Sequence, residues 1–356
     1  MIEQITLWRL KVPLYEPYNL SLTTLTDLDS IVVEIRDRDG RTGIGEATII
    51  PGYTPETGDG AWSLCRALRE KLATLDTAAA MRALDPYRAK DPHAVTVFQV
   101  ALDMLDRHRL LAAPEEEYAV PILAPVNSKE PDRIPDEVEQ LLESGYRTLK
   151  VKVGWEPDDD LKRLAQIQQV NGGHAKLRID VNQGYTPEEG IRFVRSLDTD
   201  SIELLEQPCP HDDWAGNMSV AAVSPVPVML DESIYSLDDI DRAAKMPGCG
   251  FVKLKIAKMT GVGALADGLR RIRENGMRPV LGNGAATDIG CWVEASVARH
   301  EIDNAGEMCG FLKNREQLLE TPLTFEDGQI ILKPGYRPRL NHEVADRLAV
   351  ATVGAG

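Results

Sequence analysis

The chain has 356 residues, 43% hydrophobic and 27% charged, a balance ordinary for a soluble globular protein and a length that suits one large α/β barrel plus a smaller domain. A formal net charge of −16, from 56 Asp and Glu against 40 Lys and Arg, repels a phosphate backbone and argues against nucleic-acid binding; at 5%, aromatic rings are too few to favour stacking platforms. The five cysteines are widely spaced and form no CxxC, which points away from a disulfide framework or zinc cluster and toward a reducing compartment.

The start MIEQITLWRLKVPL lacks the basic segment and apolar core of a signal peptide, and no apolar run approaches the ~20 residues that span a bilayer. The expectation is a cytoplasmic protein without a membrane partner. Residues 1–115 read as an α+β capping domain. ITLWRLKVPL alternates, and SIVVEIRDRDGRTGIGEA reads as two strands turning at Asp39-Gly40, where glycine accepts positive φ. Two stretches rich in Thr, Pro and Gly, 15–27 and 47–57, belong to no periodic element and are candidate lid loops. Helices are predicted near 60–75, 77–85 and 93–111, the last with Val97, Val100, Ala101, Met104 and Leu105 as its apolar positions.

From about Tyr118 strands and helices alternate in units of about 25 residues. Strands are predicted near 118–125, 147–153, 175–180, 201–205, 226–230, 250–255, 278–282 and 303–307, which gives a parallel barrel over 116–323. An open doubly wound sheet would carry a glycine-rich phosphate loop, and no GxGxxG is present. The segment 324–356, with a second Asp-Gly in TFEDGQIIL, is expected to return to the capping domain.

In a barrel the strand ends converge on one face, where catalytic residues gather. Asp180, Glu206 and Asp231 sit at or just past the ends of three successive predicted strands. Carboxylates converging there repel one another unless a hard cation neutralises them, and with no Cys or His in the set Mg²⁺, or Mn²⁺, suits the donors better than zinc. Lys150 and Lys152 are two apart on one strand, as are Lys253 and Lys255 on another, so each pair shares a face. An ammonium close to other positive charge is expected to have a depressed pKa and to act as a base. A metal flanked by two opposed bases suits removal of the proton next to a carboxylate, through an enediolate.

These residues resemble the enolase superfamily, specifically its muconate-lactonizing-enzyme subgroup within the mandelate racemase/muconate lactonizing enzyme family. The resemblance rests on KVK (Lys150–Lys152), the Asp of IDVNQ (Asp180), the second Glu of ELLEQP (Glu206), the Asp of LDES (Asp231) and the second Lys of KLKIAK (Lys255), spaced 24 to 28 residues apart. It implies a modified TIM-type (β/α)7β barrel under a cap built from both ends of the chain. It also implies Mg²⁺ on Asp180, Glu206 and Asp231, and Lys152 and Lys255 as the acid/base pair. Lys150 and Lys253 would tune the charge. Glu307, in NAGEMCG, matches a position where the subgroup carries an acidic residue, and Asn182 and Gln207 would orient the carboxylates. The activity implied is that of a racemase, epimerase or cycloisomerase of a small carboxylate; a dehydratase on the same scaffold, or a non-catalytic carboxylate-binding barrel, are the rivals. By analogy such a barrel is expected to form a homo-oligomer.

Strand seven, MRPVLGNGAATD, has no histidine, which sets the chain apart from the mandelate-racemase branch. Glu307-Met308-Cys309 departs from the Asp-x-Asp or Asp-x-Gly signature of dipeptide epimerases. Tyr18, Leu20, Leu22 and Tyr53 on the two lid loops, and Asn283 in the LGNG turn, are candidate substrate contacts. Trp155 and Trp214 are candidate walls of the site.

Overall fold

The computed structural model describes residues 1–19, 24–50, 52 and 54–354. The chain opens with three antiparallel strands, β1 (Ile2–Asn19), β2 (Thr24–Asp37) and β3 (Thr42–Ile49). The Asp39-Gly40 turn joins the last two, with Gly40 at φ +76°. β1 and β2 pair over almost their full lengths, Ile2 opposite Asp37 and Asn19 opposite Thr24. Helices Gly58–Leu72, Thr77–Leu84 and Pro92–Leu105 pack on this sheet. Alternation along the strands gives one face to the cap's own apolar core, where Leu7, Ile31, Val33 and Ile35 meet Val97, Phe98 and Leu102. Gly43 and Gly45 let the third helix lie directly on β3: a Cβ at either would stand 2.0 Å from a helix carbonyl.

Two short strands follow, β4 (Tyr118–Pro121) and β5 (Ala124–Val126), where the sequence suggested one. β5 begins the barrel and continues through β6 (Thr148–Lys152), β7 (Lys176–Asp180), β8 (Ile202–Glu206), β9 (Val228–Leu230), β10 (Cys249–Leu254) and β11 (Arg278–Leu281), seven parallel strands in sequence order. The eighth strand expected at 303–307 is instead a single parallel bridge between Gly306 and Ile122. Backbone bonds from Leu123 N to Gly306 O and from Glu307 N to Leu281 O stitch that segment between β5 and β11 and close the barrel. The buried Arg178 guanidinium holds it from within, donating to Ala305 O at 2.7 Å and to Asn304 Oδ1 at 3.0 Å. A hydrogen-bonding side chain thus replaces part of a strand ladder.

Inward-facing positions, every second residue, separate into layers. Leu204, Met229, Phe251 and Val280 form a small apolar cluster on β8–β11, and Glu206, Asp231 and Lys253 stand two positions beyond the first three of them. From 324 the chain forms the hairpin β12 (Thr324–Glu326) and β13 (Gln329–Leu332), turning at Asp327-Gly328 and pairing with β4. It then crosses to the cap, where β14 (Ala349–Val353) pairs with β1. All five cysteines are free thiols, and among the described residues no helix is long and apolar enough to cross a membrane.

Candidate active site

Parallel register sets the order of charges around the barrel mouth. Lys152 lies opposite Asp180 and Asp180 opposite Glu206; Glu206 pairs with Met229, two residues short of Asp231. Asp231 and Lys255 each stand one residue beyond the ends of β9 and β10. The sequence Lys152, Asp180, Glu206, Asp231, Lys255 therefore runs round five consecutive strands, three carboxylates between two lysines. Lys150, Lys152, Asp180, Asn182, Asp231, Lys253, Lys255, Asn283 and Glu307 line one cavity, roofed by Tyr18 and other groups from the cap. Glu206 lies one step deeper and does not line it; it is buried against Lys150 and Lys253.

The lower pair of lysines neutralises the carboxylates. Lys150 Nζ stands 2.8 Å from Asp180 Oδ2, 3.0 Å from Glu206 Oε2 and 2.9 Å from Glu307 Oε2. Lys253 Nζ is 3.2 Å from Glu206 Oε1 and 3.5 Å from Asp231 Oδ2, and also bonds Glu307. Burial alone would raise the Glu307 carboxyl, but Lys150 and Lys253 outweigh it and hold the group well below its ordinary range. Glu206 goes the other way: burial and the charge of Asp180 push it up to about 7 against the pull of the same lysines.

Lys255 Nζ lies 2.8 Å from Asp231 Oδ2. Burial opposes its charge, yet Asp231 and Glu232 prevail and raise it above its usual value, contrary to the depressed lysine expected. The depression falls on Lys258, where burial wins although its ammonium bonds Asp231 Oδ1 at 2.7 Å. Asp231 is held well below the carboxylate range; burial would raise it, and Lys255, Lys258 and Lys253 overcome that. Lys152 Nζ has no carboxylate partner among the described residues and lies 5.3 Å from the centroid of the Tyr18 ring.

The turns after the strands are built to aim these groups. Asn182 and Gln207 adopt positive φ, 45° and 38°, so the chain turns sharply just after Asp180 and Glu206. Asn182 N donates to Asp180 Oδ1 at 3.0 Å, and Gln207 Oε1 accepts from Asp231 N at 3.0 Å, tying the end of β8 to the loop after β9. The buried Glu294 carboxylate receives Ile256 N and Asn283 N, each at 2.9 Å, and so joins the Lys255 turn to the LGNG turn. Gly282 is required where that turn passes Glu307: its φ is +133°, and a Cβ would stand 2.6 Å from Glu307 N.

A model of the enolase C-terminal domain-like family matches residues 133–339. The chain belongs to that family. An L-Ala-D/L-Glu epimerase of Clostridium acetobutylicum is 29% identical over 277 residues, covering 74% of this chain and 76% of the relative. A crystal structure of muconate lactonizing enzyme from Pseudomonas fluorescens, complexed with muconolactone, superposes with a TM-score of 0.89 at 26% identity, over 98% of this chain and 99% of that one. A dipeptide epimerase from Cytophaga hutchinsonii, complexed with Mg and D-Ala-L-Val, shares the fold with a TM-score of 0.89 at 23% identity, covering 99% of each chain.

Within this enolase-family site, residues absent from the sequence reading also face the cavity. Glu232, next to Asp231, accepts from Asn182 Nδ2 at 3.1 Å, and burial followed by the charges of Asp231 and Asp180 raises its carboxyl. Its position beside a strand-end carboxylate is the signal that could have found it. Lys258 follows Lys255 by one helical turn, a spacing that places both over the same end of β9. Thr48, Thr54 and His93 come from the cap and carried no such signal. Tyr53, Leu20 and Leu22 lie outside the described residues. Trp155 and Trp214 do not wall the cavity; Trp155 is half exposed under Lys129, and Trp214 stacks with Arg242.

The donors suit a hard cation. Asp180 Oδ2 and Glu232 Oε2 are buried without a hydrogen-bond partner, Lys150 Nζ approaching the former off the angle of a hydrogen bond. Among the described residues no three His, Cys, Asp or Glu side chains are drawn together tightly enough to hold an ion unaided. The ammonium groups of Lys150 and Lys253 stand between the carboxylates and balance their charge. Oxygen-only donors with unspent lone pairs match Mg²⁺ or Mn²⁺.

Proposed function

We propose that the protein is a divalent-metal-dependent isomerase of a small carboxylate, a racemase, epimerase or cycloisomerase, acting on the carbon next to the carboxylate. The observation that carries this reading is the order around the barrel mouth: three carboxylates between Lys152 and Lys255, at the ends of five successive strands. Asp180, Glu206 and Asp231 are the residues that would hold Mg²⁺, an ion also present in the complex of the Cytophaga dipeptide epimerase that shares the fold. When bound there, the ion would supply charge stabilisation for a substrate carboxylate that gains electron density.

Lys152 and Lys255 approach the substrate from opposite edges of the carboxylate row. A neutral lysine takes the α-proton, the C–H electron pair passes into the carboxylate as an enediolate, and the opposed ammonium returns a proton to the other face. Lys255, charged beside Asp231, is set to deliver a proton; Lys152, without a carboxylate partner, faces the substrate from the other side. Lys150, Lys253 and Glu307 fix the charge balance beneath, and Asn182 orients Asp180.

The test is α-deuterium incorporation in D₂O across dipeptides, N-acyl amino acids, proline derivatives and muconates. Exchange with inversion is expected for at least one class, falling about 10²- to 10⁴-fold in Lys152→Ala and in Lys255→Ala. Titration calorimetry should show Mg²⁺ binding that Asp231→Asn loses. Wild-type exchange rates in both lysine variants would end the two-base reading.

A further inference from the structure

The two lysines of the proposed acid/base pair are held in place by different means. Lys152 is the last residue of β6, with its backbone paired to Asp180, and Val153 N goes on to bond Asp180 O at 2.9 Å. Arg163 Nη1 fixes the Lys152 carbonyl at 2.8 Å. Lys255 stands one residue beyond β10, whose pairing with β11 ends at Leu254 and Leu281. Among the described residues no strand ladder reaches it.

Lys255 is instead the N-cap of the short helix Ile256–Met259, and a lysine has no acceptor with which to cap the free amides of that turn. Glu294 supplies one from elsewhere in the chain. Its buried carboxylate, midway along helix Asp288–Glu301, accepts from Ile256 N, the amide next to Lys255, and from Asn283 N in the turn after β11, each at 2.9 Å. A backbone N–H can only donate, so both Glu294 oxygens act as acceptors whatever proton the carboxyl carries. In front, Asp231 grips Lys255 Nζ at 2.8 Å, but that carboxylate is shared with Lys258 and is one of those that would hold Mg²⁺. The fixed support of Lys255 is the main-chain bond behind it.

We infer that Glu294 is a positioning residue for Lys255 and not for Lys152, so that proton transfer on the two faces of the substrate depends on different parts of the fold. This rests on the two-base reading above and adds to it a residue that does not line the cavity. The consequence is directional. Loss of the Glu294 bond should impair proton transfer on one face of the α-carbon and spare the other.

Glu294→Gln keeps the size of the side chain but turns an amide NH₂ toward one of the two backbone donors, so one bond is lost. The first measurement needs no substrate. In full-length protein labelled with ¹³C at lysine Cε and supplied with Mg²⁺, the Lys152 and Lys255 signals are identified by Lys152→Arg and Lys255→Arg. Glu294→Gln should shift the Lys255 signal and leave that of Lys152 in place; an unmoved Lys255, or equal shifts in both, overturns the inference. In the wild type, Ile256 N–H should be protected from solvent exchange although it lies past the end of its strand. Free exchange there overturns the inference even where the variant fails to fold. The second measurement follows α-proton exchange in D₂O separately from the two enantiomers of N-acetylalanine and of proline, and from the epimers of alanyl-alanine. Exchange from the configuration that Lys255→Ala silences should fall about 10- to 100-fold in Glu294→Gln, against less than about threefold from the opposite configuration. Equal losses from both configurations would make Glu294 a structural residue only and retire its positioning role alone. A shifted Lys255 in a protein that exchanges none of these compounds retires the isomerase reading alone.

Discussion

On the barrel side, charges in the cavity wall and, with Glu206, just beneath it answer one another: Lys150 and Lys253 against Asp180, Glu206 and Glu307, Lys255 and Lys258 against Asp231. On the cap side the wall, among the described residues, is a tyrosine, two threonines, an isoleucine and a histidine. The barrel wall sits on strands whose register leaves each charge one place to go. The cap wall is assembled from β1, β3, a loop and a helix that are far apart in sequence. Chemistry common to many substrates belongs on the first wall, and choice among substrates on the second.

That contrast predicts where substitutions cost stability. Glu307→Gln takes one negative charge from between two buried ammonium groups and leaves Lys150 to Asp180 and Glu206, and Lys253 to Glu206 and Asp231. Breaking a buried ion network from one side costs about 3–5 kcal/mol. Urea denaturation should show a loss of that order, with any cap-wall substitution well below it. An effect within 1 kcal/mol would mean that the barrel charges are no more coupled than surface pairs.

The seam between the two walls gives the next effect. Glu46 on β3 accepts from Thr287 N at 2.9 Å and from the Thr287 hydroxyl, at the start of helix Asp288–Glu301. Burial, then the charge of Asp288 among others, pushes its carboxyl up to about 8, while the backbone bonds resist. The folded value lies above the unfolded one, near 4.5, so at intermediate pH the folded chain keeps a proton that the unfolded chain releases. Stability should therefore fall as pH rises from about 4.5 to about 8, by at most about 5 kcal/mol from this group. Asp288 and Glu294, raised by burial to about 6 and about 7, add to the same slope. Glu46→Gln should flatten, but not abolish, the decline seen in melts at pH 5 to 9. An unchanged slope would place the proton elsewhere.

The same division explains what could be read from the sequence. The strand-end charges were legible because period two along each strand and repeats of 24 to 28 residues between strands leave a one-dimensional trace. The parallel barrel followed from it, and the same residues carried the resemblance to the enolase family that the match over residues 133–339 bears out. The eighth barrel position was read as a strand from 303–307, yet its order comes from Arg178, a residue on a strand five units earlier whose reach no local pattern records. His93 illustrates the same limit: only the folded cap brings Glu56 to its ring and the ring to the cavity. Lysine charge was misjudged for a related reason. Like charges two residues apart are visible in the chain, whereas the carboxylates that outvote them at Lys255 come from the loop after another strand.

The smallest expected effect lies where the walls touch. Tyr18 is overlain by Lys313, its Nζ 3.9 Å from the ring centroid, with Lys152 on the cavity side at 5.3 Å. Burial would raise the phenol, but the two ammonium groups prevail and lower it. If Tyr18 serves as a π face that holds Lys152 in position, Tyr18→Phe keeps the face and should change kcat/KM for α-proton exchange by less than about threefold. Tyr18→Leu removes the face and should cost roughly two- to thirtyfold, the range of about 0.5–2 kcal/mol for a cation held over a ring. Equal losses in the two variants would make the hydroxyl the active part and turn Tyr18 from a support for the barrel lysine into a polar contact of the cap wall. The comparison of walls would then need redrawing, because the cap would touch the chemistry as well as the choice of substrate.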